Sequence, residues 1–113
     1  MQIACHCDSC RKSSGSAFVA AAGAPREATK ITGDLTAYTE TADSGRQVTR
    51  HFCPTCGSKV YSEIATVPDA FVIQAGTLDD PSWFRPKMNF YAAKALDWTP
   101  LDPDCRNFDA YPG

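Results

Sequence analysis

No apolar run in this 113-residue chain approaches the roughly 20 residues that a membrane-crossing helix needs, so no membrane partner is expected. Positive charge is not in excess either, with 11 lysines and arginines against 13 acidic residues. A protein that neutralises several phosphates normally carries a basic surplus, so nucleic acid is not expected as a partner. Met1 is followed almost at once by Cys5, without the charged and apolar regions of a secretory leader, and the compartment expected is the cytoplasm. There is no heptad, no internal repeat and no apolar periodicity long enough for an extended helix. Only two histidines are present, His6 and His51, so imidazole-based chemistry has few candidates.

Cysteine, by contrast, is plentiful. In a reducing compartment, six cysteines in close spacings read as metal ligands or catalytic thiols rather than as disulfides. At this length the chain is read as one domain, residues 1–113, which buries about 65% of the surface its unfolded state exposes. That core is adequate but modest, and a bound metal would strengthen it.

Short β-prone pieces separated by Gly, Pro and Asp predict a mainly β protein with little helix. The cysteine-rich opening is read as a loop with no room before Cys5 for a full strand. Residues 16–23, SAFVAAAG, read as a buried strand, after which Pro25 cannot continue a ladder. Thr32–Gly33–Asp34 is a turn signal that predicts a hairpin between two short flanking pieces. In KVYSEI, Val60, Ser62 and Ile64 alternate with Lys59, Tyr61 and Glu63 at strand period. AFVIQAGTL is a further strand. Asp80 before Pro81 has the pattern of a cap and first helical residue, so one helical turn is expected there. Met88, Phe90 and Ala92 mark a last strand, and the tail from about residue 97 is expected to lie irregularly over the surface.

Cys5, Cys7 and Cys10 form C-x-C-x2-C, while Cys53 and Cys56 form C-x2-C followed by Gly57. The second spacing suits a zinc knuckle, in which a tight turn aims two sulfurs at one ion and glycine takes the unusual backbone angles. Reduced cysteines packed as small hydrophobes explain scattered thiols but not two spaced clusters. A closed four-thiolate site carries a net charge of about −2 and is structural, whereas a three-thiolate site carries about −1 and keeps a position open. Three sulfurs from one short segment favour the open kind. Arg11 and Lys12 follow directly, either to hold an anionic ligand's carboxylate or as solvated surface cations, and Ser13 and Ser14 are candidate hydrogen-bond donors. His6 and His51 read first as structural imidazoles, and Asp79 and Asp80 as turn formers.

Taken together, CHCDSCRKSSGSAF, ITGDLTAY, RHFCPTCGSKVY and AGTLDDPSWFRP resemble, in order, the glutathione-dependent formaldehyde-activating enzyme family, which also includes centromere protein V. The resemblance runs from Cys5 to about residue 98. It implies a β-tent fold of small antiparallel sheets around zinc, with a catalytic site held by Cys5, Cys7 and Cys10. It also implies a structural site to which Cys53 and Cys56 contribute. The family's usual upstream C-x-C strand is absent from this sequence, so the shell of Cys53 and Cys56 is completed either by the first cluster, in one merged zinc site, or by His51 or Cys105. A merged site is the expectation. The missing strands would expose a sheet edge, for which a homodimer is the expected cover. The implied activity is that of a zinc-dependent carbon–sulfur lyase acting on glutathione, or a related thiol, and a small aldehyde. Arg11, Lys12, Ser13 and Ser14 would bind the thiol's polar groups. The alternative is a non-catalytic, zinc-stabilised binding module.

Overall fold

Alternation with period two, cut at intervals by turn residues, gives each β-prone piece one inward and one outward face. In the computed structural model, which describes residues 1–111, these pieces become eight strands. They are β1 (Gln2–Cys5), β2 (Val19–Pro25), β3 (Thr36–Thr41), β4 (Gln47–Phe52), β5 (Lys59–Ile64), β6 (Ala70–Gln74), β7 (Met88–Phe90) and β8 (Arg106–Asn107). Among the described residues the only α-helix is α1, Asp8–Ser14. The mainly β fold with little helix is therefore what the chain adopts. The small antiparallel ladders join edge to edge into one sheet, in the order β3-β4-β5-β6-β2-β1-β7-β8. Pairing is antiparallel from β3 to β1 and parallel at β1–β7 and β7–β8.

One face of the sheet wraps the core. Alternate residues such as Ile3 and Cys5 on β1, Val19 and Ala21 on β2, and Ser62 and Ile64 on β5 line a shared interior cavity. Ile3, Val19, Ala21, Val72 and Phe90 are its most buried apolar members, with Cys5 and Cys10 packed against them. Each large side chain buried in this way contributes about 1.5–3 kcal/mol. On the other face Tyr61 stacks on His51, with ring centroids 4.2 Å apart, and meets Phe71 edge-on. Arg26 lies over Phe71, and Glu63 bridges Arg26 and His51.

Several boundaries differ from the sequence reading. A strand does precede the cysteines: β1 has four residues and is held on both sides, by β2 and by β7. Pro25 ends β2 opposite Ala70, at a terminus where its lost N–H costs little. The turn at Gly33 forms, with φ +92°, but Thr36–Thr41 pairs forward with β4 instead of backward. The hairpin turn is the polar stretch 42–46, where Ala42 N–H donates to Arg46 O and Gly45 takes φ +83°. A six-residue register with β4 outweighs the few residues available before Gly33. After Phe90, Tyr91 adopts left-handed angles and turns the chain into a 3-10 turn at Ala92–Lys94, so the last predicted strand stops before Ala92. The Asp80 cap is as expected, its carboxylate accepting from Ser82 N–H at the turn Pro81–Trp83. In the tail, Arg106–Asn107 adds the eighth strand beside β7.

Candidate metal centre

The alternation of β1 continues one step past its end. Cys5 and Cys7 therefore face the cavity, while His6 between them faces the opposite way. There His6, only 2% exposed, has Nε2 at 3.0 Å from Asn89 Oδ1, and Asn89 Nδ2 donates to Asn107 Oδ1. With the amide oxygen accepting, His6 carries its proton on Nε2. Its backbone N–H donates to Phe90 O. The peptide between the first two sulfurs is thus pinned to β7 by both main chain and side chain.

Cys7 is also the N-cap of α1: its Sγ accepts from Cys10 N–H at 3.3 Å. This helix escaped the sequence reading because a thiol stands where Ser, Thr, Asp or Asn usually signals a cap. Seven residues are also too few to show a period. Its other marks are in place, with Asp8 in the first turn, Arg11 and Lys12 in the last, and Gly15 at φ +68° closing onto Arg11 O. The helical turn brings Cys10 back beside Cys7, and the sulfurs of Cys5, Cys7 and Cys10 all lie within 4.8 Å of one another. Around a tetrahedral ion with Zn–S bonds near 2.3 Å, sulfurs stand about 3.8 Å apart, so this group fits a zinc-sized ion with small movements. It is the only such group of three among the described residues.

The three thiols form one electrostatic unit. Hydrogen bonds from Cys10 and then Cys5, aided by backbone N–H groups of Cys10 and Ser9, pull Cys7 down to about 2. Cys10's hydrogen bond lowers Cys5, but the hydrogen bond Cys5 gives Cys7, together with burial, outweighs it and leaves Cys5 near 11. Cys10 is pushed strongly up by its bonds to Cys5 and Cys7 and by burial. The mutual hydrogen bonds favour a thiolate within the group, most of all at Cys7, which suits a cation.

One cavity holds the sulfurs, and a second lies beside it across Arg50. The thiol cavity, about 90 Å³, is mostly apolar, with Arg50, Ser62, Tyr91 and Tyr111 as its main polar groups and no carboxylate or imidazole. A wider cavity of about 680 Å³ lies on the outer side of α1, lined by Ser9, Lys12 and Ser13 and by Tyr38, Glu40, Asp43, Arg50, Phe52 and Lys59. Arg50 borders both, and is buried and paired with Glu40. Burial, with the thiolate character of Cys7 behind it, pushes the Tyr91 phenol up, so it remains a hydrogen-bond donor at neutral pH.

Of the candidate ligand-binding residues, Lys12 and Ser13 line the wider cavity. Arg11 instead pairs with Asp8, and the hydroxyls of Ser13 and Ser14 both donate to Cys10 O, at 3.2 and 2.8 Å. Cys53 and Cys56 sit in the β4–β5 connection, outside the three-sulfur group. Cys56 is exposed, 3.1 Å from the Ser58 hydroxyl, and that hydrogen bond lowers its pKa. His51 bonds Glu63, and Cys105 is buried with its thiol donating to Pro86 O, so neither joins a group of three ligands. The sequence reading missed Arg50, Lys59 and Tyr111. Arg50 had a signal, an inward-phased charge two residues after Val48; Tyr111 is placed by a returning tail that carries none.

The sequence model of the glutathione-dependent formaldehyde-activating enzyme family matches residues 1–94. The chain belongs to this family. The match takes in both cysteine clusters, α1 and every residue named above as lining the wider cavity. A comparison with curated proteins finds none that matches the chain. No helix among the described residues is long and apolar enough to cross a membrane.

Proposed function

We propose that this member of the glutathione-dependent formaldehyde-activating enzyme family is a zinc-dependent carbon–sulfur lyase acting on glutathione, or a related thiol, and a small aldehyde. The observation that carries the proposal is the convergence of three cysteine sulfurs on a small apolar cavity beside a wide polar one. Cys5, Cys7 and Cys10 would hold the ion. Zinc bound there would supply a positive charge that acidifies a substrate thiol at the position the three sulfurs leave open.

The residues around it supply the rest. Glutathione carries two carboxylates and an ammonium group, and the wide cavity offers Lys12 and Lys59 for the former and Asp43 and Glu40 for the latter. Ser13 adds a hydroxyl at the same wall. The carbonyl compound enters the thiol cavity, whose apolar lining excludes water. As the S–C bond forms and the carbonyl π bond breaks, the substrate's proton leaves sulfur and one is gained at oxygen. Tyr91, a protonated phenol on that wall, is the donor available to the oxygen. The lyase direction reverses each change. Cys53 and Cys56 would serve a separate, structural role at the knuckle. The edge of β3, largely exposed, supports a homodimer, and sedimentation of a clean monomer would remove that part of the reading.

Two measurements test the activity. Protein purified without added zinc should contain at least one equivalent by mass spectrometry. Isothermal titration should show glutathione binding that disappears with a chelator or in Cys7→Ser. Zinc without glutathione binding in any state would favour a zinc-stabilised binding module instead.

A further inference from the structure

The family match ends at residue 94, but the wall of the thiol cavity does not. Beyond that limit the chain returns along β7. Arg106 N–H donates to Lys87 O and Phe108 N–H to Asn89 O, while Phe108 O and Ala110 O accept from Ala92 and Tyr91. This register delivers Tyr111 to the cavity. Its hydroxyl lies 3.3 Å from Thr66 Oγ1 in the β5–β6 turn, and Arg46 of the β3–β4 turn lies 4.6 Å over its ring. Its ring meets Phe90 of β7 edge-on at 5.4 Å. Contacts from three separate elements thus hold one aromatic side chain at the wall of the cavity that the sulfurs share.

We propose that segment 106–111 is a specificity strap, in which Tyr111 restricts the electrophile reaching the sulfurs to small aldehydes. The inference rests on the lyase reading for the electrophile's identity. Volume supports it: 90 Å³ is far below the roughly 300 Å³ of sites that take whole drug-sized ligands, whereas the neighbouring 680 Å³ lies within that class. The thiol substrate's bulk therefore belongs in the wide cavity, and only its sulfur and a short carbonyl compound meet at the strap. No residue of the matched region takes Tyr111's place between Thr66, Arg46 and Phe90.

Organomercurials of different size test the strap on the zinc-loaded protein, with zinc release read by a chromophoric chelator. Tyr111→Ala should speed release by 4-hydroxymercuribenzoate about tenfold and leave methylmercury within about twofold, because only the bulky reagent was excluded. Tyr111→Phe keeps the ring and should behave as wild type. Arg46→Gln, outside the lining of the thiol cavity, should show the same contrast at smaller amplitude. Equal acceleration of both reagents, or of neither, overturns the strap. In parallel, glutathione adduct formation is compared for formaldehyde and benzaldehyde, and Tyr111→Ala should gain selectively on benzaldehyde. A mercurial contrast with no adduct from any variant would uphold the strap and overturn the lyase reading.

Discussion

Cys7 and Cys10 are separated by two residues, and so are Cys53 and Cys56, yet the pairs occupy opposite environments. The first pair spans the opening turn of a helix. A preceding strand adds a third sulfur on the same face, and the core packs against Cys5 and Cys10. The second pair closes the β4–β5 hairpin, where Gly57 takes φ +78°, its N–H bonds Cys53 O, and Cys56 faces solvent. Spacing alone describes a turn that can aim two sulfurs at an ion. The third donor, the burial and the adjoining cavity come from the sheet, and these set the first cluster apart from the second.

The largest effect should come from exchanging single sulfurs across the two clusters. On the proposed zinc site, Cys7→Ser would remove a ligand and weaken the cap of α1, so zinc should be lost and stability should fall by about 3 kcal/mol or more in urea unfolding. Cys56→Ser should retain the zinc of the first cluster and cost less than about 0.5 kcal/mol if the knuckle holds no ion of its own. Equal metal loss from both variants would erase the distinction. Next, Asn89→Ala leaves the His6 N–H buried without its acceptor, at a cost of about 1–3 kcal/mol. Zinc affinity at Cys5, Cys7 and Cys10 should weaken, while the alkylation rate of Cys56 stays unchanged. Gly57→Ala is the reciprocal test. Strain at a positive φ should cost about 1 kcal/mol, leaving zinc content at the first cluster intact.

The smallest effect concerns charge on the outer face, toward the end of the β4–β5 hairpin remote from the knuckle. Arg26, and then His51, hold Glu63 below its ordinary value of 4.5. A depressed carboxyl stabilises the fold fully above that ordinary value and loses its contribution as pH falls through the lower folded value. Glu63→Gln should therefore lower the urea midpoint slightly at pH 7 and match wild type at pH 2. A difference that persists in acid would assign the effect to packing instead.

How much of this was legible in the sequence follows the range of the interactions involved. KVYSEI alternates visibly, and the Asp80–Pro81 cap acts within two residues, so both were readable. The clustering of Cys5, Cys7 and Cys10 was readable because their spacing is local. By contrast β1 is a strand because β2 and, from far along the chain, Met88–Phe90 pair with it on either side, and four residues carry no period of their own. The hairpin was misplaced because Gly33 gives a sound turn signal, whereas the pairing of Thr36–Thr41 with Gln47–Phe52 settles the register. Tyr91 and Tyr111 reach the cavity through a backbone reversal and a returning tail, neither of which has a composition cue. The merged site foreseen for both clusters is not what the geometry assembles: three sulfurs group together and two stand apart.

The parallel pairing of β1 with β7 also sets an order of events in the cell. His6 and Asn89 are 83 residues apart, so at about 5–20 residues per second of synthesis the thiols precede their sheet neighbour by about 4–17 s. During that interval the ribosome-bound chain presents its sulfurs without walls, open to oxidants and to the wrong metals. On the proposed zinc site, faithful loading therefore belongs to the moment when β7 docks, and a pulse-chase with labelled zinc should find the ion on chains that carry β7 outside the ribosome and not on shorter nascent ones.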